Sequence, residues 1–201
     1  MTPLFPLNTV LFPSGVLTLR VFEVRYLDMI KKCIADGTQF GVVALLSGGE
    51  VRTPEGKEVF ASVGTMAQIV DWSAPMPALL HIRCTGTNRF MLVGRELGKY
   101  GLWQGETTPL KEDELIPIPQ KLQACANALG KLVASLQKDK VPEAEMPISR
   151  PFRLDESGWV ADRWCEILPM PLERKLDLLA LQDPVARLEA VHQMLAERDL
   201  F

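Results

Sequence analysis

The sequence predicts an α+β fold in which a mainly β part, residues 1–114, precedes a helical part, residues 115–201. Two observations support this division. Before residue 112 the apolar residues alternate with polar ones or form short runs, as in strands, whereas in the second part they recur at helical spacing. In addition, a segment rich in charge and proline, residues 108–119, separates the two patterns.

The first elements of the β part follow one another closely. Residues 16–22 alternate between apolar and polar positions and predict a half-buried strand. Residues 24–35 change to helical spacing, and Gly37 is placed where a glycine typically ends a helix. An apolar strand is predicted at residues 39–46. The polar, turn-rich residues 47–57 are then expected to form an exposed loop.

Three further strands complete the predicted β part. They cover residues 64–72, residues 78–85, and a stretch that begins at residue 89 and extends, after a bend, to residue 107. Few helices accompany these strands, and a sheet that closes on itself has no exposed edges. We therefore expect a closed or nearly closed sheet.

Four amphipathic helices are predicted in the second part, and their short connections favour a small bundle. The first ends near residue 137, and the proline-containing residues 138–154 form a connection. Asp183 followed by Pro184 is a typical helix start, because the carboxylate accepts hydrogen bonds from backbone N–H groups. The apolar stripes consist, in chain order, of Leu122, Leu129, Val133 and Leu136; Val160, Trp164, Ile167 and Leu168; Leu172, Leu176 and Leu179; and Leu188, Val191 and Leu195.

Charge and composition exclude several classes of protein. The 201 residues contain 22 Lys and Arg against 25 Asp and Glu, a net charge of −3, and neither half is basic. Nucleic-acid binding driven by phosphate contacts needs a basic surface, so no nucleic-acid partner is expected.

The first residues lack the features of a signal peptide, and no apolar run approaches the roughly 20 residues that span a bilayer. We therefore expect a cytoplasmic protein without membrane association.

The cysteines and histidines do not form a metal-binding pattern. The cysteines are scattered without a Cys-x-x-Cys pair, which is typical of buried free thiols in a reducing compartment. His81 and His192 are distant in sequence and lack acidic ligands at metal spacing. We expect neither a metal nor a cofactor. The cysteines are Cys33, Cys84, Cys125 and Cys165.

No pair of residues makes a convincing catalytic site. His81 and Cys84 could form a nucleophile pair, but on a strand these two positions face opposite sides of the sheet. Glu23 and Arg25 flank the start of the first helix, where a cap or an ion pair explains them better than catalysis does. The sequence therefore predicts no catalytic residue.

The connection at residues 71–77 is unusually apolar. It contains Trp72, Pro75, Met76 and Pro77. Aromatic and methionine side chains suit the binding of varied polypeptides, because they offer contact area without requiring particular hydrogen bonds. These four residues are the predicted polypeptide-binding site. The alternative is that Trp72 folds back and closes one end of the barrel.

The remaining large aromatic residues have simpler interpretations. Tyr100 and Trp103 follow the strand alternation and are expected to pack in the barrel wall or core. Trp159 and Trp164 are expected in the core of the helical part.

A series of short patterns, taken in their order and spacing, resembles the amino-terminal domain of the Lon protease family over nearly the whole chain. The resemblance implies a pseudobarrel related to PUA domains, followed by a helical part, and a role in handling substrate polypeptide. The residues that carry the resemblance are Pro6 and Leu7; Phe12, Pro13 and Gly15; Phe22, Glu23, Arg25 and Tyr26; Phe40, Gly41, Val42 and Val43; Gly64, Thr65, Ala67 and Ile69; Ile82, Gly86, Arg89 and Phe90; Leu168 and Pro169; and Asp183, Pro184, Arg187, Leu188 and Glu189.

The sequence lacks the modules that Lon proteases carry after this domain. Those proteases continue into an ATPase module with a Gly-x-x-x-x-Gly-Lys-Ser/Thr loop and then a Ser-Lys peptidase. The glycines at residues 48–49 and 94–98 lack the Gly-Lys-Ser/Thr that would bind phosphate. The resemblance therefore implies a stand-alone substrate-binding domain, to which neither ATP hydrolysis nor proteolysis carries over.

These observations predict a non-catalytic module, monomeric or weakly dimeric, that binds unfolded or exposed polypeptide segments or a protein partner. A nucleic-acid-binding PUA-like module is the first alternative, and it would require a clustered basic face. A small hydrolase is the second alternative, and it would require a histidine within hydrogen-bonding distance of a cysteine, serine or carboxylate.

Overall fold

The computed structural model describes residues 1–49 and 58–201 and has a mixed α+β architecture, as predicted. The chain divides into two compact units, Met1–Leu110 and Lys111–Phe201. Of the predicted loop at residues 47–57, only the first three residues are described, and they are exposed. The rest of that loop lies outside the described residues.

The described residues of the first unit form six strands, β1 (Thr2–Leu7), β2 (Val16–Val21), β3 (Phe40–Ser47), β4 (Val59–Met76), β5 (Leu79–Leu97) and β6 (Trp103–Pro109). In the sheet, β5, β4, β3, β1 and β6 pair in that order, and β6 pairs again with β5, so these five strands form a closed ring. Within the part of the chain that the structure describes, β2 pairs only with β5. The predicted closed sheet is confirmed.

The main core of the first unit lies between the strands and the helix α1 (Val24–Asp36). Residues 40–45 of β3 are all buried, which explains why this strand has a continuous apolar sequence rather than an alternating one. Phe5 of β1 stacks on Tyr26 of α1 with ring centroids 4.2 Å apart. These contacts hold α1 against the sheet.

A tight corner joins β1 to β2 and is clamped onto β5. The Gly15 N–H donates to the Phe12 carbonyl at 3.0 Å and closes the corner. The Ser14 N–H donates to the Gly86 carbonyl at 2.8 Å, and the Gly86 N–H donates to the Gly15 carbonyl at 2.9 Å. The sequence Phe12-Pro13-Ser14-Gly15 therefore forms a structural corner. This corner requires its backbone to approach Gly86 closely.

Two predicted boundaries in the sheet were wrong. The strand predicted at 78–85 and the start of the one predicted from 89 onward form one strand, β5, because pairing with β4 continues through Gly86 opposite Ala67, with a register shift before Arg89. Residues 71–77, predicted as a connection, belong to β4 as far as Met76 and pair with the start of β5. Pro75 did not end this strand because no other strand of residues 1–49 and 58–201 pairs with the far side of β4 here, and proline is tolerated at such an edge.

The start and end of α1 agree with the sequence prediction. Gly37 has φ +65°, in the left-handed region, and its N–H bonds the Cys33 carbonyl. At the other end, Arg25 forms an ion pair with Glu23 at 3.0 Å and donates to the Gly101 carbonyl at 3.0 Å. These two residues have the structural role that the sequence favoured.

The second unit contains the four predicted helices, α2 (Gln123–Lys138), α3 (Ser157–Ile167), α4 (Leu172–Ala180) and α5 (Pro184–Ala196). The Asp183 side chain caps α5 by accepting from the Val185 N–H at 2.9 Å and the Ala186 N–H at 3.1 Å. Trp159 and Trp164 are buried, as predicted. The Trp164 indole also donates to the Cys125 carbonyl at 3.0 Å, which ties α3 to α2.

A buried ionic cluster links α3 to α5 within this unit. The fully buried Arg187 lies against Asp162, with 3.0 Å between Nε and Oδ1, and also forms an ion pair with Asp113. Its Nη1 donates to the Leu181 carbonyl at 2.8 Å. The Nε–Oδ1 contact is an ion pair without the alignment of a good hydrogen bond. The cluster therefore depends on charge compensation in the helical core.

Over residues 1–49 and 58–201, none of the helices has both the length and the apolar character that crossing a membrane requires.

Candidate functional site

The predicted site residues lie at the end of the β4–β5 hairpin. Trp72 pairs with Ile82, and Met76 pairs with Leu79 beside the turn. All of residues 70–78 are exposed, including 51% of Trp72 and 59% of Met76. Pro75 and Pro77 are exposed with them. The hairpin thus presents apolar side chains to solvent without a covering element among the described residues.

Trp72 continues a row of core residues beyond the core. Leu19 of β2 and Trp72 of β4 both pair with Ile82 of β5, so the three side chains share one face of the sheet. Ile82 is buried in the main core and Leu19 packs partly against it. Trp72 instead remains half exposed and is not part of the main core, which favours the binding interpretation over closure of the barrel end.

Two exposed apolar residues that the sequence analysis did not select lie at the same end of the sheet. Phe22 and Val24 follow β2 and are 59% and 68% exposed. Val21, the last residue of β2, pairs with Leu80, and Met76 of β4 pairs with the neighbouring Leu79. The ends of β2 and β4 therefore both lie beside the start of β5. We call Phe22, Val24, Trp72, Pro75, Met76 and Pro77 the hairpin-end surface.

The signal for Phe22 and Val24 was present in the sequence but had another interpretation. Phe22 was assigned to the end of the first alternating strand and Val24 to the start of the first helix, so both were interpreted as parts of regular elements. Only the folded arrangement shows that the junction faces away from the core.

The opposite face of this part of the sheet, which also carries the Met76–Leu79 pair, is largely polar and has both signs of charge. Arg20 pairs with His81, which pairs with Ser73. Asp71 pairs with Arg83, so an acidic residue lies opposite a basic one. This face is not the clustered basic surface that the nucleic-acid alternative requires.

A cleft of about 680 Å³ lies alongside α1 in the same unit. Asp28, Lys32 and Asp36 occupy one wall at intervals of four residues, and Lys99 and Tyr100 contribute to the rim. The charges alternate in sign along the helix. Such alternation is as typical of a helix face exposed to solvent as it is of a ligand site. The cleft therefore does not select a ligand of one charge.

Of the two aromatic residues predicted in the barrel, one is in place and the other is not. Trp103 packs against a second, smaller core cluster and meets Phe60 edge-on, with ring centroids 5.3 Å apart. This cluster consists of Leu4, Val43, Leu45, Phe60 and Phe90. Tyr100 is 82% exposed, so its predicted packing was wrong. It lies in the short 3₁₀ turn Lys99–Gly101 with φ +59°, outside any strand, and strand alternation does not apply there.

The residues considered for catalysis are not brought together. Cys84 is fully buried in the core and pairs with Ile69, whereas His81 is half-buried on the opposite face of β5. His192 lies in the second unit and contacts the Phe201 ring at 5.0 Å between centroids. In the part of the chain that the structure describes, no group of three or more His, Cys, Asp or Glu side chains is arranged to hold a metal.

All four cysteines are buried free thiols, as predicted. Burial raises the pKa of Cys84 to about 12 and that of Cys125 to about 11. Burial is also the largest cause of the raised pKa values of Cys33 and Cys165. The thiolate is the reactive form, so the environment of these residues suppresses nucleophilic chemistry.

We expect the thiols to react slowly in the native protein. Raising the pKa of Cys84 from 9.0 to about 12 lowers its thiolate fraction at pH 8 by on the order of a thousandfold, because each pKa unit is a factor of ten. Titration with a chromogenic thiol reagent at pH 8 should therefore detect four thiols only after denaturation. Rapid reaction of any thiol in the native protein would contradict the assignment of all four as buried.

Comparison with known proteins identifies the relatives of this chain. Residues 1–197 match the family model for the ATP-dependent protease La (LON) substrate-binding domain. Lon protease of Anaeromyxobacter dehalogenans (strain 2CP-C) is 26% identical over 204 residues, with 96% of this chain and 22% of that protein covered. The chain thus spans about a fifth of the length of this curated relative.

Two solved structures have the same fold. A Lon N-terminal domain protein from Xanthomonas campestris is 32% identical, with 97% of this chain and 96% of that chain covered and a TM-score of 0.75. The N-terminal domain of a Mycobacterium avium complex Lon protease is 16% identical, with 98% of each chain covered and a TM-score of 0.61. The second likeness bears on the fold alone.

Proposed function

Because the chain belongs to the Lon substrate-binding domain family, we propose that it recognises polypeptide substrates through the hairpin-end surface. The observation that supports this proposal is the exposure of Trp72 and Met76 at the end of the hairpin, where Trp72 continues the core row that contains Ile82. These 201 residues hold the substrate-binding domain and no ATPase or peptidase module. In our proposal the domain binds without catalysing, acts in the cytoplasm, and is a monomer or weak dimer.

The chemistry of the surface favours unfolded polypeptide over a folded ligand of defined shape. Methionine has a flexible, polarizable side chain and tryptophan a large apolar ring, and both bind diverse apolar residues. Pro75 and Pro77 border Met76 and restrict the backbone, which lowers the entropy cost of presenting it. We call the bound polypeptide the client. An exposed apolar segment of a client therefore fits this surface better than a charged ligand does.

Replacing Trp72 and Met76 by alanine should weaken binding of an unfolded polypeptide by at least about tenfold. Covering either side chain contributes about 1.5–3 kcal/mol when it is fully buried, and about 1.4 kcal/mol corresponds to a factor of ten in Kd. The measurement is fluorescence anisotropy with a labelled, reduced and carboxymethylated protein that cannot refold.

The matched control is the pair Val93→Ala and Leu97→Ala. These side chains are 58% and 44% exposed, and they lie toward the opposite end of β5. The control should bind as the unchanged protein does. Equal affinity of all three proteins would contradict the assignment of the hairpin-end surface, and absence of binding in all three would contradict the proposed function.

A further inference from the structure

The outer edge of β2 has no strand beside it among the described residues. β2 pairs with β5 in an unbroken register from Val16 opposite Thr85 to Val21 opposite Leu80. The sheet order places β2 at the end of the sheet, and no other hydrogen bond of the described chain reaches its backbone. Every second residue of this strand therefore directs an N–H and a C=O group away from the protein.

This edge lacks three of the features that usually prevent strand addition. Residues 16–21, Val-Leu-Thr-Leu-Arg-Val, contain no proline, no lysine and no bulge. The free side of β4 differs, because its register shifts between Ile69 and Asp71 and Pro75 removes a donor. Of these two edges, β2 is the one that offers a regular ladder.

We propose that β2 accepts the bound polypeptide as an additional strand, an inference that rests on the proposed function. The chain direction supports it, since β2 runs toward Leu80 at the start of β5 and continues into Phe22 of the hairpin-end surface. A client strand along β2 reaches Phe22, the part of that surface that follows β2, without turning. Main-chain hydrogen bonds along β2 supply affinity that does not depend on the client's sequence, and the hairpin-end surface supplies apolar contacts.

The side chains of β2 define the preferred client segment. Leu17 and Leu19 lie on the core side of the sheet and are only partly buried, so an apolar residue beside them would cover the remaining area. Thr18 and Arg20 are exposed on the other face, where a polar or acidic residue fits. The segment selected is thus one in which apolar residues alternate with polar or acidic ones.

A second copy of this chain is a weaker occupant of the same edge. Pairing of β2 with its own copy would engage six residues on each side, whereas stable interfaces use roughly 20–30 residues on each side. A six-residue strand extends for only about 20 Å. A flexible client does not need so many residues on β2, because it also gains contacts on the hairpin-end surface.

The test uses the full chain and three synthetic decapeptides in which valine alternates with threonine or glutamate. One peptide is unmodified, one is N-methylated at the valines, and one is N-methylated at the polar residues. Alternate residues of a strand direct their N–H groups to opposite edges, so strand addition uses only one of the two sets. We expect one methylated peptide to bind at least tenfold more weakly than the unmodified peptide, and the other to bind within about twofold of it.

Amide hydrogen exchange locates the added strand. The outward amides of Val16–Val21 should exchange at least tenfold more slowly when the unmodified peptide is saturating. The amides around Met91, on another part of β5, are the internal control, and their exchange rates should not change. Equal affinities of the two methylated peptides, or unchanged exchange in β2, would overturn strand addition. Protection of β2 in the absence of peptide, together with a dimer in sedimentation, would instead assign the edge to a second copy and overturn the proposal.

The experiment separates this inference from the proposed function. If the carboxymethylated protein binds and Trp72→Ala/Met76→Ala weakens it, the proposed function stands whatever the peptides show. If the carboxymethylated protein does not bind, both proposals fail together.

Discussion

Replacing Arg187 by alanine is expected to destabilise the helical unit by about 3–5 kcal/mol. The guanidinium group is fully buried and compensates the charge of Asp162, which is also buried, and of Asp113. Its removal takes a cation away from the buried Asp162 carboxylate, and truncating one partner of a buried ion pair costs about this much. The loss also removes the bond to the Leu181 carbonyl that fixes the turn before α5.

Urea unfolding followed by circular dichroism at 222 nm measures this effect, since the signal reports mainly on the helices. Lys121→Ala is the matched control, because Lys121 forms an ion pair with Glu189 on the surface, where 70% and 45% of the two side chains are exposed. An exposed pair contributes about 0–1 kcal/mol. If Arg187→Ala were no more destabilising than Lys121→Ala, the cluster would not be structurally important.

Replacing Gly86 by alanine is expected to destabilise the β unit by about 3 kcal/mol or more, at or above the upper range for overpacked sites. A Cβ atom at this position would lie 2.1 Å from the Phe12 carbonyl oxygen and 3.1 Å from Cγ of Leu11. Backbone cannot move aside as a flexible side chain can, so the corner between β1 and β2 must separate from β5. The two hydrogen bonds between Gly86 and the corner would then be strained or lost.

Gly94→Ala, in the same strand, is the control for this substitution. A Cβ there would meet only the Glu106 side chain, at 3.2 Å, and that side chain can rotate away. We expect a change within about 1 kcal/mol for Gly94→Ala. The difference in urea midpoint between the two variants measures the effect, and equal midpoints would show that the corner tolerates a methyl group.

Local patterns were sufficient to predict much of the fold. The change from alternating to helical spacing predicted the β and α parts, and the four helices begin and end close to their predicted positions. Gly37 and Asp183 were recognised as helix ends because capping depends on the residue itself and its near neighbours. Such features need no knowledge of the rest of the molecule.

Features that depend on distant partners were not predictable in this way. Pro75 and Pro77 suggested a loop, since the sequence does not show that this part of β4 lacks a second neighbouring strand among the described residues, so that proline is tolerated there. Tyr100 was misplaced for a local reason, because strand alternation was extended through the turn Lys99–Gly101, where it does not apply. Arg187 and Asp162 each have the sequence signal of a surface residue, and only their pairing across two helices explains their burial.

The position of the hairpin-end surface was predictable only in part. Trp72 and Met76 were selected by their chemistry, and the structure adds that they are exposed and near Phe22. That proximity arises from the register of β2 and β4 against β5, which no short pattern specifies. Whether these residues bind polypeptide stays a prediction.

The ring of the first unit closes between its first and last strands, and this closure has a consequence for biosynthesis. Thr2 and Pro3 pair with Gly105 and Gln104, and the hydroxyls of Thr2 and Thr107, 105 positions apart, lie 3.0 Å from each other. Joining residues so distant in sequence is slow, because the loop entropy is lost before the contacts form. At about 5–20 residues per second, a ribosome needs on the order of 10 s to make the intervening chain. A nascent chain therefore holds β1 with an unpaired edge throughout that time, although this strand is apolar and mostly buried once the ring has closed.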